Sequence, residues 1–371
     1  MPLFAGAVVA IFWANLNFAG YQSFNSSPFF GGLSFHFVAN ELFMVLFFGI
    51  AAAEITRSFL PGGDLSPISK AVNPLLGTLG GVFGPVAVYF GLNALIGTPE
   101  LKSGWGIPTA TDIALAWLAA RTVFGAAHPA VSYLLLLAVA DDAIGLAIIA
   151  IFYPSRTMPT EPFWLLLVAL AMAVAWLLRR FNFRSYWPCL LIGGSISWTG
   201  LHQAHIHAAL ALVFIVPFLP HSRQKRHHLF EEGSPDHSPL SSFEHEWKVI
   251  VDFGLFMFGL ANAGVQFSSI GTVTIIVLLS LLLGKTAGIF LFSTAASGLG
   301  FELPRGMKPR DLLTVSLIAG TGFTVALFVA GEAFSDKATL GAARMGALLS
   351  VIAALCGLIA GKLLGVDKKH V

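Results

Sequence analysis

The sequence predicts an all-α polytopic membrane protein of about twelve transmembrane helices, and three observations predict it. The 371-residue chain is 56% hydrophobic. Only 11% of it is charged, against roughly 25% in a soluble globular domain. Its apolar stretches recur along the whole length with short polar gaps, which reads as one membrane domain, 1–371, with no appended soluble module. Membrane lipid is therefore the expected surrounding of most of the surface. A net charge of +2 gives no reason to expect a nucleic-acid partner. Cys189 and Cys356 lie in apolar stretches without metal-ligand spacing and read as packing residues.

A span takes about 20 mostly apolar residues, and that criterion divides the chain into twelve segments. Segment 1, 3–18, is short, and no basic stretch precedes it as in a cleavable signal. Segment 2, 36–57, carries Phe43-Met-Val-Leu-Phe-Phe48, side chains for lipid contact or packing, and ends on Arg57. Segment 3 is 72–95. Segment 4, 105–124, contains Pro108 and the run Thr109 to Thr111, poor helix material, so its helix is predicted to be interrupted. Segment 5, 130–153, holds Asp141 and Asp142 in its middle. Segments 6, 7 and 8 are 163–179, 186–200 and 203–220, the last two parted only by a few residues around Leu201 and His202. The polar stretch 221–246, rich in Pro, Ser, Glu and His, reads as a cytoplasmic loop of low order. Segments 9 to 12 are 248–268, 271–297, 311–331 and 341–364. In segment 11, Gly320 and Gly322 stand amid threonines and predict a second broken helix.

With twelve spans, both termini and every even-numbered loop share one side. Sixteen of the 21 Lys and Arg residues sort to that side, four (Lys102, Arg156, Lys337 and Arg344) to the other, and Lys285 lies inside segment 10. The excess of basic residues in cytoplasmic loops puts both termini in the cytoplasm.

An ionisable side chain near the bilayer centre costs roughly 2.5 to 3.5 kcal/mol on insertion scales, so each one signals function. Four stand out: Asp112 in segment 4, the pair Asp141 and Asp142, and Lys285 as the one cation of comparable depth. Neighbours on a helix point about 100° apart, so one aspartate of the pair should face a cavity and the other a partner. A buried Lys–Asp pair lowers the cost of both charges. Three acids against one lysine exceed what holding helices together requires. Oxygen ligands suit a hard cation, and the hydroxyls of Thr109 and Thr111 with freed carbonyls could complete a shell for Na+ around Asp112 and Asp142. Proton and cation then compete for the same oxygens, and a protein opening alternately to two sides becomes an exchanger. Thr109-Ala-Thr-Asp-Ile-Ala-Leu115 set against Thr321-Gly-Phe-Thr-Val-Ala-Leu327 matches at Thr, Ala and Leu. Paired broken helices in the two halves point to inverted repeats with a midplane site.

Gly104-Trp-Gly-Ile-Pro-Thr-Ala-Thr-Asp-Ile-Ala114, Asp141-Asp142, Ala261-Asn-Ala-Gly264, Gly284-Lys285 and Gly320-Thr-Gly-Phe-Thr324 occur in the order that resembles the NhaA family of bacterial sodium/proton antiporters. The resemblance runs from segment 2 to segment 12. It implies a twelve-helix inner-membrane exchanger with discontinuous helices 4 and 11 crossing at the midplane. Such a protein exports sodium or lithium electrogenically for protons, contributes to pH and sodium homeostasis, and uses no cofactor. By position, the resemblance makes Asp142 the principal ion-binding carboxylate and Asp141 the neighbour that pairs with Lys285. Asp112 becomes the acid at the crossing, with Thr111 beside it. Asn40-Glu41 and Glu54 with Arg57 resemble residues near a cytoplasmic funnel. Glu244-His245, followed by Glu246 and Lys248, keeps part of a pH-sensing cluster, and His207 resembles a position linked to pH response. Asp252 has no counterpart. The loop between segments 1 and 2 is shorter than in members that form homodimers through a hairpin there.

The remaining signals have plainer readings. His202 and His205 read as packing or capping, and the loop histidines as solvated. Gly284-Lys285-Thr286 ends like a phosphate-binding loop, but Leu279 stands where its first glycine belongs, which rejects nucleotide binding. Two other functions compete. One is a sodium-coupled solute symporter on the same fold. The other, an intramembrane aspartyl protease, usually carries Gly-x-Gly-Asp, whereas Leu137-Ala-Val-Ala140 precedes Asp141. Neither the exchanger nor the symporter is an enzyme.

Overall fold

The computed structural model describes residues 2–60, 68–154, 160–181, 185–220 and 238–366. Each of the twelve segments coincides with helical structure. Among the described residues, six helices are long and apolar enough to cross a membrane, or seven if the bent pair of segment 11 counts as one span. Segment 4 divides into a 3-10 helix, Pro99–Thr109, and a helix, Ile113–Phe124. Segment 11 divides into Pro309–Ala319 and Phe323–Ala333, which meet at 44°. Both breaks fall where proline, threonine and glycine interrupt the apolar pattern, because those residues support the helical hydrogen-bond ladder least.

The chain forms two compact units. Residues 67–145 and 265–371 make the first, and 2–66 with 146–264 the second. In the first, Phe124, Tyr133, Leu137, Ile289, Val315 and Ile318 are core residues. Segments 3 and 10 touch there backbone to backbone. A Cβ on Gly288 would lie 1.9 Å from the Gly80 carbonyl oxygen, and one on Gly84 2.2 Å from that of Gly284. Glycines four apart on both helices permit this approach, as in small-residue seams of membrane helices. The Tyr133 hydroxyl donates to Asn73 at 3.1 Å and lies 2.6 Å from the Ser293 hydroxyl, tying segments 3, 5 and 10 in register. In the second unit Ala53, Ala171, Ile215 and Phe243 belong to the core.

Several expectations are corrected. The helix of segment 9 starts at Pro239 rather than 248 and ends at Asn262. The Ser238 hydroxyl caps it by accepting the Ser241 amide at 3.4 Å, and proline suits the first helical position. Residues 239–246 are therefore helix, while 221–237, with His221, His227, His228 and His237, lie outside the described residues. Segment 8 is two short 3-10 pieces, Ala208–Phe214 and Val216–Phe218, where Pro217 removes an amide donor. Between segments 1 and 2 the chain is structured. A helix, Phe18–Ser26, leads into a hairpin pairing Pro28–Phe30 with Leu33–Ser34. Gly31 and Gly32, at φ +57° and +85°, make its turn, a conformation other residues adopt poorly.

Candidate functional site

The site lies in the first unit, where the two breaks meet. At the break in segment 4, Ala110 and Asp112 have extended backbone. The Asp112 amide donates to the Thr321 carbonyl at 2.7 Å, joining the two breaks. Gly322 sits opposite Ala110, whose carbonyl oxygen would be 3.1 Å from a Cβ on the glycine. Thr109 to Asp112 and Thr321 to Thr324, equivalent in the sequence match, are thus in contact with each other.

Two breaks create four helix ends, and every end needs a partner for its unpaired backbone groups. Asp112, buried at 4% exposure, serves two N-termini. Its Oδ1 accepts the Leu115 amide at 3.0 Å and caps its own helix, Ile113–Phe124. Its Oδ2 accepts the Thr324 amide at 3.3 Å and also the Thr324 hydroxyl, both at the start of Phe323–Ala333. The positive ends of both helix dipoles therefore face this carboxylate. At the C-terminal ends, the Thr109 carbonyl accepts from Lys285 Nζ at 2.6 Å, and the Ala319 carbonyl lies 3.0 Å from the Thr111 hydroxyl.

Lys285 also forms an ion pair with Asp141 Oδ2 at 2.6 Å, both side chains fully buried. The Thr111 hydroxyl reaches the same Oδ2 at 2.7 Å, so its single proton serves either this oxygen or the Ala319 carbonyl. Asp141 Oδ1 is buried without a hydrogen-bond partner among the described residues and lies 3.5 Å from where a Cβ on Gly81 would stand. Asp142, one position on, is half-buried. The adjacent acids are thus split as their 100° offset requires, with Asp141 on the lysine and Asp142 on a more exposed face.

Some expected contacts differ. The Thr109 hydroxyl bonds the Gly106 carbonyl within its own turn, at 2.8 Å, so its carbonyl rather than its hydroxyl enters the site. The Thr111 hydroxyl is on Asp141 and Ala319, not on Asp112 or Asp142. The hydroxyl on Asp112 comes from Thr324, which sequence reasoning placed in the repeat and left out of the site.

The residues carried as funnel or pH groups lie in the second unit. Arg57 pairs with Glu244, whose side chain is only 5% exposed. Glu54 is half-buried one turn before Arg57, and His245 is exposed. Glu41 belongs to a π-helical turn, Val38–Leu42, at the opposite end of segment 2. Thirteen residues separate it from Glu54, about 20 Å along a helix, so the two do not meet at one mouth. Beside Glu41, the Asn40 side-chain oxygen accepts from Asn262 at 2.9 Å. The motif Ala261 to Gly264 thereby gains a structural reason. The Tyr21 hydroxyl caps its helix end on the Leu260 and Ala261 carbonyls, and a Cβ on Gly264 would strike the Tyr21 ring. His207 is half-buried at the start of the 3-10 piece Ala208–Phe214, its carbonyl accepting the Leu210 amide. His202 stacks on Trp198 at 5.0 Å. Asp252 is half-buried on the helix of segment 9.

Comparison with known proteins identifies the family. The family model described as Na+/H+ antiporter 1 matches residues 1–361. The chain is 69% identical over 370 residues to the Na(+)/H(+) antiporter NhaA 2 of Pelobacter propionicus, covering 100% of this chain and 97% of that protein. It is 64% identical over 368 residues to the Na(+)/H(+) antiporter NhaA of Geobacter sulfurreducens, covering 99% and 96%. Among solved structures, the sodium proton antiporter MjNhaP1 of Methanocaldococcus jannaschii superposes with a TM-score of 0.58 over 98% of this chain and 92% of that one. At 17% identity that likeness speaks for the fold.

Proposed function

We propose a transport cycle from the premise that this chain belongs to the Na+/H+ antiporter 1 family and is a multi-pass sodium/proton antiporter. The whole chain acts as the transport domain. Asp142 is the carboxylate that binds Na+ or Li+, with Asp112 as the second acid of the ion site and Thr111 and Lys285 shaping it. The observation that carries this reading is the difference in exposure among the three acids. Asp112 and Asp141 are buried, while Asp142 is half-buried, and a transported ion must reach its ligand through water. When Asp142 takes a proton it loses the charge that holds the cation, so one site alternates between the two cargoes. Asp141, with Oδ1 open and Lys285 on Oδ2, supplies the second protonation that makes the exchange electrogenic.

The cycle calls for no cofactor, because both cargoes bind side chains directly. Its setting is the bacterial inner membrane, with both termini cytoplasmic as the basic loops direct. There it exports sodium, and Arg57, Glu54, Glu244 and His245 form the group through which cytoplasmic pH acts. A second copy of the chain is a partner. Family membership does not favour the symporter or the protease.

Everted vesicles carrying a pH-sensitive dye test the cycle. Sodium added with no organic solute should alkalinise their acid interior, and lithium should do the same. Asp142→Asn should abolish the response while the protein remains folded. Retained sodium-dependent proton release in that variant would overturn the assignment.

A further inference from the structure

The helix Phe323–Ala333 cannot cap itself. Its N-cap residue is Gly322, which has no side chain to cap with, and a Cβ there would lie 2.7 Å from Leu281 Cδ2 and 3.1 Å from the Ala110 carbonyl oxygen, so a larger residue would have to displace both. The close crossing of the two breaks thus favours a glycine at the position where serine, threonine or aspartate would normally satisfy the first amides. Those amides must find acceptors on other segments. Asp112 takes the Thr324 amide. The Gly322 amide is taken by Ser350 Oγ at 3.1 Å.

Ser350 is built for that contact. It is fully buried and stands at the joint in segment 12, between helices Lys337–Leu349 and Val351–Leu363. Its hydroxyl lies 2.6 Å from the Ala347 carbonyl and donates to it, which fixes the proton and turns a lone pair toward Gly322. On either side of Gly322 the chain is bonded to Asp112, through the Thr321 carbonyl at 2.7 Å and through Thr324. Ser350 therefore holds the inside of the four-residue stretch Thr321–Thr324, whose two ends grip the acid of the crossing.

We propose that Ser350 is a positioning residue for the ion site, acting through Gly322 to set where Asp112 and Thr324 sit. The inference rests on the antiport cycle above. Without the Ser350 oxygen the Gly322 amide is buried and unsatisfied, and the stretch relaxes toward another acceptor. The cost falls on binding geometry, because Thr321 and Thr324 move with it.

The test compares sodium titrations of exchange in everted vesicles with melting of the purified protein. Ser350→Ala should raise the apparent KM for sodium by roughly 3- to 10-fold, the effect of one buried hydrogen bond, and shift the pH profile, with maximal rate within about twofold of wild type. Ser350→Thr keeps the acceptor and should restore KM. Thr274→Val is the control. It removes another buried hydroxyl bond to segment 12, Thr274 to the Ala342 carbonyl at 2.8 Å, away from the break, and should lower melting without moving KM. If Ser350→Ala does not fold, Ser350→Cys, a weak acceptor of similar shape, should show a smaller rise in KM. Wild-type KM and pH profile in the Ala or Cys variant, or a Thr variant as impaired as the Ala variant, would overturn the proposal. Those results leave the antiport reading standing if Asp142→Asn still abolishes exchange.

Discussion

Replacing Lys285 by alanine removes the one cation from the site and strands Asp141. Both side chains are fully buried at 2.6 Å from each other, and Lys285 also donates to the Thr109 carbonyl at 2.6 Å. Breaking one partner out of a buried pair costs about 3–5 kcal/mol. The carbonyl at the helix end, left without its donor, adds about 1–3 kcal/mol. Protonation limits the first loss, because neutralising an ordinary aspartate at pH 7 costs about 4 kcal/mol. That limit falls by about 1.4 kcal/mol for each unit of pH below 7, so the variant should recover stability as the solution is acidified. The Thr111 hydroxyl, 2.7 Å from Asp141 Oδ2, still has an acceptor if Asp141 becomes asparagine. Lys285→Ala combined with Asp141→Asn should therefore be more stable than Lys285→Ala alone. Melting in detergent reads this out. At about 2 °C per kcal/mol for a large chain, the combined loss of about 4–7 kcal/mol should make the single variant melt roughly 8–14 °C below wild type. Melting within about 2 °C of wild type, or a double variant no better than the single one, would refute the pairing.

Thr324→Val removes the hydroxyl on Asp112 but keeps the amide bond, and should raise the apparent KM for sodium by roughly 3- to 10-fold; an unchanged KM would separate Thr324 from the ion site. Gly288→Ala puts a methyl 1.9 Å from the Gly80 carbonyl oxygen and should cost about 3 kcal/mol by forcing segments 3 and 10 apart, seen as loss of folded protein on melting. Outside the spans, the Thr339 amide and hydroxyl, at 2.9 and 2.8 Å, hold the Asp336 carboxyl below the usual range. A lowered native value means that this helix cap acts fully above about pH 4 and fails as pH falls through it. Amide exchange at Thr339 should accelerate only in strong acid, and equal protection in Asp336→Ala would discard the cap.

The spans were legible because a bilayer forces long apolar runs, and the breaks because Pro108, Gly320 and Gly322 interrupt two of them. The Lys285–Asp141 pair followed from counting charges at depth. The partners of Thr109 and Thr111 were not legible, since the direction of a side chain in a broken helix depends on backbone angles that no periodicity fixes. The separation of Glu41 from Glu54 is legible, because thirteen residues of helix imply it. The seam of Gly80 and Gly84 against Gly284 and Gly288 shows in the sequence only as a four-residue spacing, which does not say which helices meet. The start of segment 9 was also visible in Ser238-Pro239, but hydropathy reads a polar helix reaching out of the membrane as loop.

The excess of acids over lysines has a physical resolution that composition could not supply. Counting side chains gives three carboxylates against one ammonium, yet the breaks in segments 4 and 11 add two helix N-termini, each equivalent to a partial positive charge. Asp112 lies at both, on the Leu115 and Thr324 amides. The negative ends of the same breaks are met by Lys285 on Thr109 and by the Thr111 hydroxyl near Ala319. Lys285 thus answers both a carboxylate and a helix end, and Asp112 answers two helix ends. Asp142, one position beyond Asp141, is half-buried beside them. The broken helices therefore do more than expose backbone for a site. Their ends hold the charges of Asp112 and Lys285 in place, and an exchange at Asp142, as proposed above, would leave that crossing intact.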